Sequence, residues 1–347
     1  MNFNNLNLNE KLLENLKTLG FETATPVQTQ ALPIILAGKD IIAEAQTVSG
    51  KTVAFGLGIL NEIKTNSMFT QGLVLCPTRE LAEQVATELR NLCRLIPHVK
   101  VLTITGGRSE YQQEKSLEHG AHIIVGTPGR IRRLIKKKTL SFSHLNHFVL
   151  DEADRMLDMG FEDDLNYIHS FLPKEKQTLL FSATFPEDIE ELGKNILKSD
   201  VERVHVEASE KKLITEKFYQ VESHKEKLDA VLSLLMKLKP ERFIVFCKTK
   251  IITDQAADEL NKHGIMVESI HSDLDQKDRD LVLNMFSNQS LSGLMATDVA
   301  ARGIDIKEVD LVINMDIPKN PEVYVHRIGR TGRAGKLGEA ISLIVAE

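Results

Sequence analysis

Short apolar runs alternate with longer amphipathic stretches along the chain. The runs of the first half lie at 41–43, 73–76, 99–104, 122–125, 148–150 and 178–181, and those of the second half at 243–247, 267–270, 294–295, 311–314 and 340–345. Apolar strands that alternate with helical patterns are typical of a parallel sheet with helices packed on it. The pattern therefore predicts an α/β fold, with the ligand sites beyond the carboxyl ends of the strands.

A charged stretch at 207–212 separates the two series of runs. It has no apolar periodicity, which favours a linker over a packed element. A chain of 347 residues is also long for one core and suits two. We therefore predict a domain at 1–206, a linker at 207–212 and a second domain at 213–347.

The composition indicates a soluble protein in a reducing compartment. No apolar run approaches the roughly 20 residues that cross a bilayer, and the first residues lack the basic start and apolar core of a secretory signal. The three cysteines, Cys76, Cys93 and Cys247, are odd in number and far apart, which favours buried thiols over disulfides. We expect a cytoplasmic protein with no membrane contact.

A net charge of −6 argues mildly against a nucleic-acid partner, but phosphate binding depends on local charge. One local run is basic: Arg130, Arg132, Arg133, Lys136, Lys137 and Lys138 lie within nine residues. Such a run forms either a solvated helix face or a phosphate-binding surface. Both interpretations stay open at the level of the sequence.

Residues 45–52 have the pattern of a phosphate-binding loop, with Ala45 in place of the usual first glycine. The segment lies between a predicted strand and a helical stretch, so backbone N–H groups and a helix N-terminus can surround a phosphate there. Lys51 would reach the β- and γ-phosphates, and Thr52 would offer its hydroxyl group to Mg²⁺. The loop predicts nucleotide binding.

Acidic residues follow the strand predicted at 148–150, in the order Asp151, Glu152, Ala153, Asp154. Acidic residues at a strand end are most often ordinary helix-start residues. Beside a phosphate loop, however, phosphoryl transfer needs one carboxylate near the metal and a group that positions the attacking water. We assign these roles to Asp151 and Glu152.

Together these residues resemble the DEAD-box RNA helicases of superfamily 2, and the resemblance covers nearly the whole chain. The further motifs occur in the family's order: Phe21 with 25–28, 77–81, Gly106-Gly107, 127–130, 182–184, 245–249, 271–279, 296–305 and 326–333. The resemblance implies two tandem RecA-like domains, the cofactors ATP and Mg²⁺, and RNA as partner. We expect a monomeric core, and the sequence identifies no protein partner.

The family's residue roles are carried over as expectations. The resemblance implies an ATP site formed by Phe21, Thr25, Gln28, Thr47, Val48, Ser49, Gly50, Lys51, Thr52 and Asp305. It implies RNA contacts by Arg79, Gly107, Thr127, Arg130, Thr249, Gln276 and Thr297. It implies coupling of hydrolysis to unwinding by Asp154, Ser182, Thr184 and His326. Arg330 and Arg333 would complete the catalytic set by neutralising the γ-phosphoryl group from the second domain.

The function predicted is RNA-stimulated ATP hydrolysis coupled to RNA binding and local unwinding of short duplexes. The motifs contain no aromatic platform for reading bases, so sequence specificity should be low. The chain has Val48 where the family usually has glycine, which leaves an alternative: an ATP-gated RNA clamp with impaired turnover. A DNA-directed motor of the same superfamily is a third interpretation, and the adenine motif at 25–28 argues against it.

Overall fold

The computed structural model describes residues 1–45, 50–206, 214–223, 225–298, 309–332 and 337–345. The chain divides into two compact units, Met1–Ser209 and Glu210–Glu347. The predicted linker 207–212 and the predicted site residues Thr47, Val48, Ser49, Asp305 and Arg333 lie outside the described ranges. The predicted domain boundaries thus stay predictions, while the predicted pair of α/β units is confirmed.

The first unit contains a parallel sheet of seven strands in the order β3-β4-β2-β5-β6-β1-β7. The strands are β1 (Ile41–Glu44), β2 (Gly72–Leu75), β3 (Val101–Ile104), β4 (Ile123–Gly126), β5 (His147–Leu150), β6 (Gln177–Ser182) and β7 (Glu202–His205). A 3-10 turn at Phe3–Asn5 precedes the helices α1 (Glu10–Thr18), α2 (Pro26–Leu36), α3 (Lys51–Asn61), α4 (Arg79–Leu92), α5 (Glu110–Leu117), α6 (Pro128–Lys136), α7 (Ala153–Asp158), α8 (Glu162–His169) and α9 (Glu187–Ile196).

Both faces of this sheet are covered because the side chains of a strand alternate. In β2, Val74 belongs to the core beneath α1 to α4. Its neighbours Leu73 and Leu75 belong to the core beneath α6 to α9. A strand buried on both faces reads as a continuous apolar run, which is the pattern seen in the sequence.

The second unit contains a parallel sheet of six strands in the order β10-β11-β9-β12-β13-β8. The strands are β8 (Ile214–Val221), β9 (Phe243–Phe246), β10 (Val267–Ile270), β11 (Gly293–Ala296), β12 (Leu311–Asn314) and β13 (Gly338–Val345). The described helices are α10 (Glu226–Leu238), α11 (Lys250–Lys262), α12 (Gln276–Ser287) and α13 (Pro321–Ile328). Alternate residues of β9 again face two cores, Val245 on one side and Phe246 on the other.

Every strand predicted from an apolar run is present, with its ends moved by a few residues. The largest differences are two residues: the strand predicted at 99–104 begins only at Val101, and the strand predicted at 340–345 begins already at Gly338. Two strands at sheet edges, β7 and β8, were not predicted. Across the described ranges, no helix has both the length and the apolar character that a membrane span requires.

Candidate active site

Three adjacent strands of the first sheet, β5, β6 and β1, end at the same edge, and the phosphate-loop pattern follows β1 along the chain. At one side of the loop, the Ala45 N–H donates to the Ser182 carbonyl at 3.0 Å, which fixes the end of β1 against β6. At the other side, Gly50 precedes α3 with a φ of 89°. A Cβ atom built on Gly50 would lie 2.4 Å from Nε2 of Gln28, so only glycine fits this position.

Lys51 is the first residue of α3, and its side chain is buried. Its Nζ atom has no hydrogen-bond partner among the described residues. Burial lowers the pKa of Lys51, while Asp151 and Glu152 act in the opposite direction. A buried ammonium group that lacks an acceptor is unfavourable by itself. The position therefore fits an anionic ligand at the N-terminus of α3, where the partly buried Thr52 follows.

Asp151 and Glu152 follow β5 and are both buried. The Asp151 N–H donates to the Leu75 carbonyl at 3.0 Å, which holds the turn against β2. Glu152 has a φ of 55°, a left-handed conformation that costs on the order of 1 kcal/mol for a residue with a side chain. Its Oε2 accepts a hydrogen bond from Nη1 of Arg155 at 2.7 Å. A strained, fully fixed carboxylate is a common feature of functional sites.

Burial raises the pKa of Asp151 to about 7, with Glu152 acting in the same direction and Lys51 opposing it. A cation bound beside this turn would lower the pKa of Asp151 and favour its charged form. In the described part of the chain, no group of three or more His, Cys, Asp or Glu residues could hold a metal alone.

Asp154 connects the acidic turn to the loop after β6. Its Oδ2 accepts from the backbone N–H groups of Ala183 at 3.1 Å and Thr184 at 3.2 Å, and from the Thr184 hydroxyl at 3.3 Å. Ser182 in turn donates its hydroxyl to the Thr184 carbonyl at 2.7 Å. The structure therefore joins three residues that the sequence assigned to coupling.

Gln28 is buried, and each end of its amide has a protein partner. Its Oε1 accepts from the Thr25 N–H at 2.9 Å as part of a capping box at the start of α2. Its Nε2 donates to the Gly50 carbonyl at 3.1 Å. Phe21 is partly buried and packs against the core beneath α1 to α4. The adenine contacts of Phe21 and Gln28 stay predictions, while the link from Gln28 to the phosphate loop is a finding.

The residues predicted to bind RNA in the first unit lie at the other end of the same sheet edge, after β3, β4 and β2. Gly107 has a φ of 74°, and a Cβ atom there would lie 1.8 Å from Nη1 of Arg79. The Arg79 guanidinium group thus lies directly on the backbone of the turn after β3. Thr127 is the N-cap residue of α6, and Arg130 lies in its first turn. The fold brings all four residues to adjacent strand ends.

The basic run on α6 forms ion pairs within the unit. Arg132 contacts Asp164 at 2.7 Å, and Arg133 contacts Glu110 at 2.9 Å. Lys137 contacts Glu110 and also Glu114, the latter at 3.1 Å. The run is therefore neither a purely solvated face nor a surface of unpaired cations.

The predicted RNA-contacting residues of the second unit follow its strands in the same way. Thr249 caps α11 by accepting from the Ile252 N–H at 3.3 Å. Gln276 begins α12 and donates to Asp280 at 2.8 Å. The Thr297 N–H, after β11, donates to the Ile270 carbonyl at 3.2 Å. His326 lies in α13, and Arg330 is a buried residue two positions after that helix.

Two buried arginines were not predicted as site residues. Arg155 fixes Glu152, and the spacing of opposite charges at i and i+3 was the available signal. Arg327 donates from Nε and Nη2 to the two carboxylate oxygens of Asp298, at 2.6 and 2.8 Å, and from Nη1 to Asn314 at 3.1 Å. Asp298 lies in the motif at 296–305, and Arg327 lies in the next motif along the chain, at 326–333. The opposite charges in two consecutive motifs were the signal in the sequence that could have indicated this pair.

The phosphate loop, the adjoining carboxylates and the two parallel-sheet units define a nucleotide-hydrolysing protein built from two RecA-like domains. Residues 25–192 match the DEAD/DEAH box helicase family, and residues 226–335 match the helicase conserved C-terminal domain. The ATP-dependent RNA helicase DbpA of Escherichia coli is 49% identical over 336 residues, which cover 96% of this chain and 73% of that protein. The chain therefore belongs to the DEAD-box family of ATP-dependent RNA helicases and is an ATP-hydrolysing enzyme.

Further relatives agree with this assignment. The ATP-dependent RNA helicase CshA of Listeria monocytogenes is 46% identical over 99% of this chain and 66% of that protein. The structure of Saccharomyces cerevisiae Dbp5 bound to RNA and ADP BeF3 is similar with a TM-score of 0.89 and 31% identity, over 100% of this chain and 90% of that chain. A DEAD box protein from Methanococcus jannaschii has a TM-score of 0.59 and 41% identity, over 99% and 93% of the two chains.

Proposed function

We propose that this chain hydrolyses ATP as its Mg²⁺ complex when RNA is bound, and that it thereby separates short RNA duplexes locally. The observation that carries the proposal is the buried Lys51 Nζ, which has no hydrogen-bond partner among the residues that the structure describes and is influenced by two buried carboxylates, Asp151 and Glu152. The same sheet edge carries Arg79, Gly107, Thr127 and Arg130. One edge thus offers a phosphate site and a surface suited to an RNA backbone.

Each residue of the phosphate site has a role that its position supports. Lys51 and the N-terminus of α3 would bind the phosphates, and Thr52 and Asp151 would hold the Mg²⁺ that neutralises charge during transfer. Glu152 would orient the attacking water. Arg155 supports that role, because its contact at 2.7 Å holds the carboxylate in one place. Asp154 would transmit the state of the site to the loop at Ser182–Thr184, which it holds by three hydrogen bonds.

RNA would be bound through its phosphates and sugars. Threonine and arginine side chains, backbone N–H groups and helix N-termini are the usual partners of the backbone, and such contacts carry no direct sequence information. Thr127 at the start of α6 and Arg79 on the turn after β3 are groups of this kind. We therefore expect low sequence specificity. A monomeric core and a cytoplasmic location are further parts of this proposal.

The test of the site is Glu152→Gln with Asp158→Asn as the matched control, because Asp158 is an exposed acid at the end of the same helix, α7. Turnover of ATP in the presence of RNA should fall by ~10² or more in Glu152→Gln, the scale of a lost general base. ATP binding should persist, since Lys51 and Asp151 are retained. Wild-type turnover in Glu152→Gln would remove Glu152 from its role, and equal losses in both variants would make the effect non-specific.

A further inference from the structure

Gln113 is a buried polar residue on α5, a surface helix whose Leu117 is only partly buried against the core. It is 6% exposed, and none of the other seven residues of α5, all of them described, is buried. An apolar side chain would be the ordinary choice for the one buried position of a short surface helix. A glutamine there must satisfy both ends of its amide, so its partners indicate what it does.

One end of the amide holds the turn after β3. The Gln113 Nε2 donates to the Thr105 carbonyl at 2.8 Å, and Thr105 directly precedes Gly106 and Gly107. Because Nε2 must face a carbonyl, the orientation of the amide is fixed. Its Oε1 therefore points away from the turn, toward α6.

The other end of the amide holds Arg130. The Gln113 Oε1 accepts from the Arg130 Nη1 at 3.0 Å. Arg130 also donates to the Arg108 carbonyl, at 3.4 Å from Nη1 and 3.3 Å from Nη2. The guanidinium group is thereby held against the same turn that contacts Arg79 through Gly107. One buried amide thus joins the loop after β3 to the helix after β4.

We propose that Gln113 is a positioning residue for RNA binding, which fixes the Arg130 guanidinium group at a set distance from the turn at 106–108. The inference rests on the proposed function, because it takes Arg130 as an RNA contact. A mobile arginine side chain loses conformational entropy when it binds RNA. Arg130 is held before RNA binds, because the Gln113 Oε1 and the Arg108 carbonyl both accept its hydrogen bonds. Loss of this order should weaken RNA binding about 3- to 10-fold, the scale of immobilising one flexible side chain.

The experiment compares Gln113→Met with Gln113→Glu by titration of single-stranded RNA in the presence of a non-hydrolysable ATP analogue. Both variants lose the donor to Thr105, but only Gln113→Glu keeps an acceptor for Arg130. We expect weaker RNA binding in Gln113→Met, and in Gln113→Glu an affinity between those of Gln113→Met and wild type, because the added negative charge offsets part of the gain from the ordered guanidinium group. A purely structural role would make the two variants equally weak, which would overturn the inference. ATP affinity should be unchanged in both.

The controls distinguish a failure of the positioning role of Gln113 from a failure of the proposed RNA contact by Arg130. Gln112→Met changes the exposed neighbour on α5 and should leave RNA affinity unchanged. Gln113→Met should have no further effect in an Arg130→Ala background. If Arg130→Ala weakens RNA binding and Gln113→Met does not, the positioning role is wrong and the RNA contact stands. If Arg130→Ala has no effect, the RNA contact itself is wrong, and the inference fails with it. If Gln113→Met does not fold, Gln113→Ala replaces it in the comparison, because alanine is smaller than methionine.

Discussion

At the scale of single residues, Gln28 connects α2 to Gly50 at the end of the phosphate-loop pattern, and we predict that this contact supports ATP binding. Gln28→Leu removes the donor to the Gly50 carbonyl. The Gly50 carbonyl is only partly buried, so the loss of its donor costs ~1 kcal/mol, and we expect ATP affinity to fall by about 5-fold. Calorimetric titration with ATP measures this, and Gln30→Leu on the exposed side of α2 is the matched control. Equal ATP affinity in wild type and Gln28→Leu would contradict a role in holding the loop.

Val48 departs from the usual glycine of the family and lies outside the described residues. A β-branched residue in a tight phosphate loop makes positive φ costly, with strain of ~1–3 kcal/mol. We therefore expect Val48→Gly to raise kcat/KM for ATP by roughly 5- to 100-fold if most of that strain is relieved. Steady-state hydrolysis at saturating RNA measures the effect. Equal kinetics in the two forms would show that the loop accommodates valine without strain.

His147 makes the stability of the first unit depend on pH. It is 3% exposed, and burial lowers its pKa to about 4, although its Nε2 lies 3.5 Å from the Glu62 carboxylate. The unfolded chain binds a proton near pH 6.5 and the folded chain does not, so stability is lost as the pH falls from about 6.5 toward 4.

Over that interval the loss amounts to about 3 kcal/mol. His147→Phe should remove this part of the pH dependence, as measured by urea unfolding at pH 7 and pH 5. The same slope in wild type and variant would show that His147 is not the responsible group.

The sequence motifs indicate candidate residues for the chemistry, but not the residues that hold those candidates in place. Lys51, Asp151 and Asp154 are fixed by short motifs, because the nucleotide imposes residue type and spacing. The contacts of Gln113 with Thr105 and Arg130, and of Arg327 with Asp298, join segments that are distant along the chain. Such pairs become visible only when the strand order is known. The left-handed conformation of Glu152 likewise has no signal in the sequence, since glutamate has no preference for it.

At the scale of elements, α5 supplies the acids that neutralise the basic face of α6. Glu110 is held close to Arg133 and Lys137, and both cations lower the pKa of its carboxyl group. Glu110→Gln should therefore release positive charge beside the RNA contacts. We expect RNA to bind more tightly at low salt, with a log–log salt slope steeper by up to ~0.7 for each cation that gains a phosphate. Glu118→Gln, an exposed acid at the end of α5, is the control.

An unchanged slope in Glu110→Gln would mean that Arg133 and Lys137 contact no phosphate, and that their role is to pack α6 on α5. The sequence could not decide this point. It showed the six basic residues together but not the three acids, Glu110, Glu114 and Asp164, that face them from other helices.

The strands that escaped prediction are both sheet edges. Central strands are buried on both faces and read as apolar runs, as in β2 and β9. In β7 only Val204 is buried, and most residues of β8 are exposed, including Phe218 and Tyr219. β7 and β8 contain few buried apolar residues, so periodicity alone does not find them, whereas the edge strands β3 and β10 keep buried apolar residues and were predicted.

At the scale of the whole molecule, the net charge of −6 and the proposed RNA partner are compatible because the phosphate contacts are local.

The central claim is that RNA switches on ATP hydrolysis. The most direct test is the rate of ATP hydrolysis by the full chain, titrated with single-stranded RNA and, in parallel, with DNA of the same sequence. We predict a rate that rises with RNA to saturation and responds little to DNA. A rate that is independent of RNA, or that rises equally with DNA, would contradict the account.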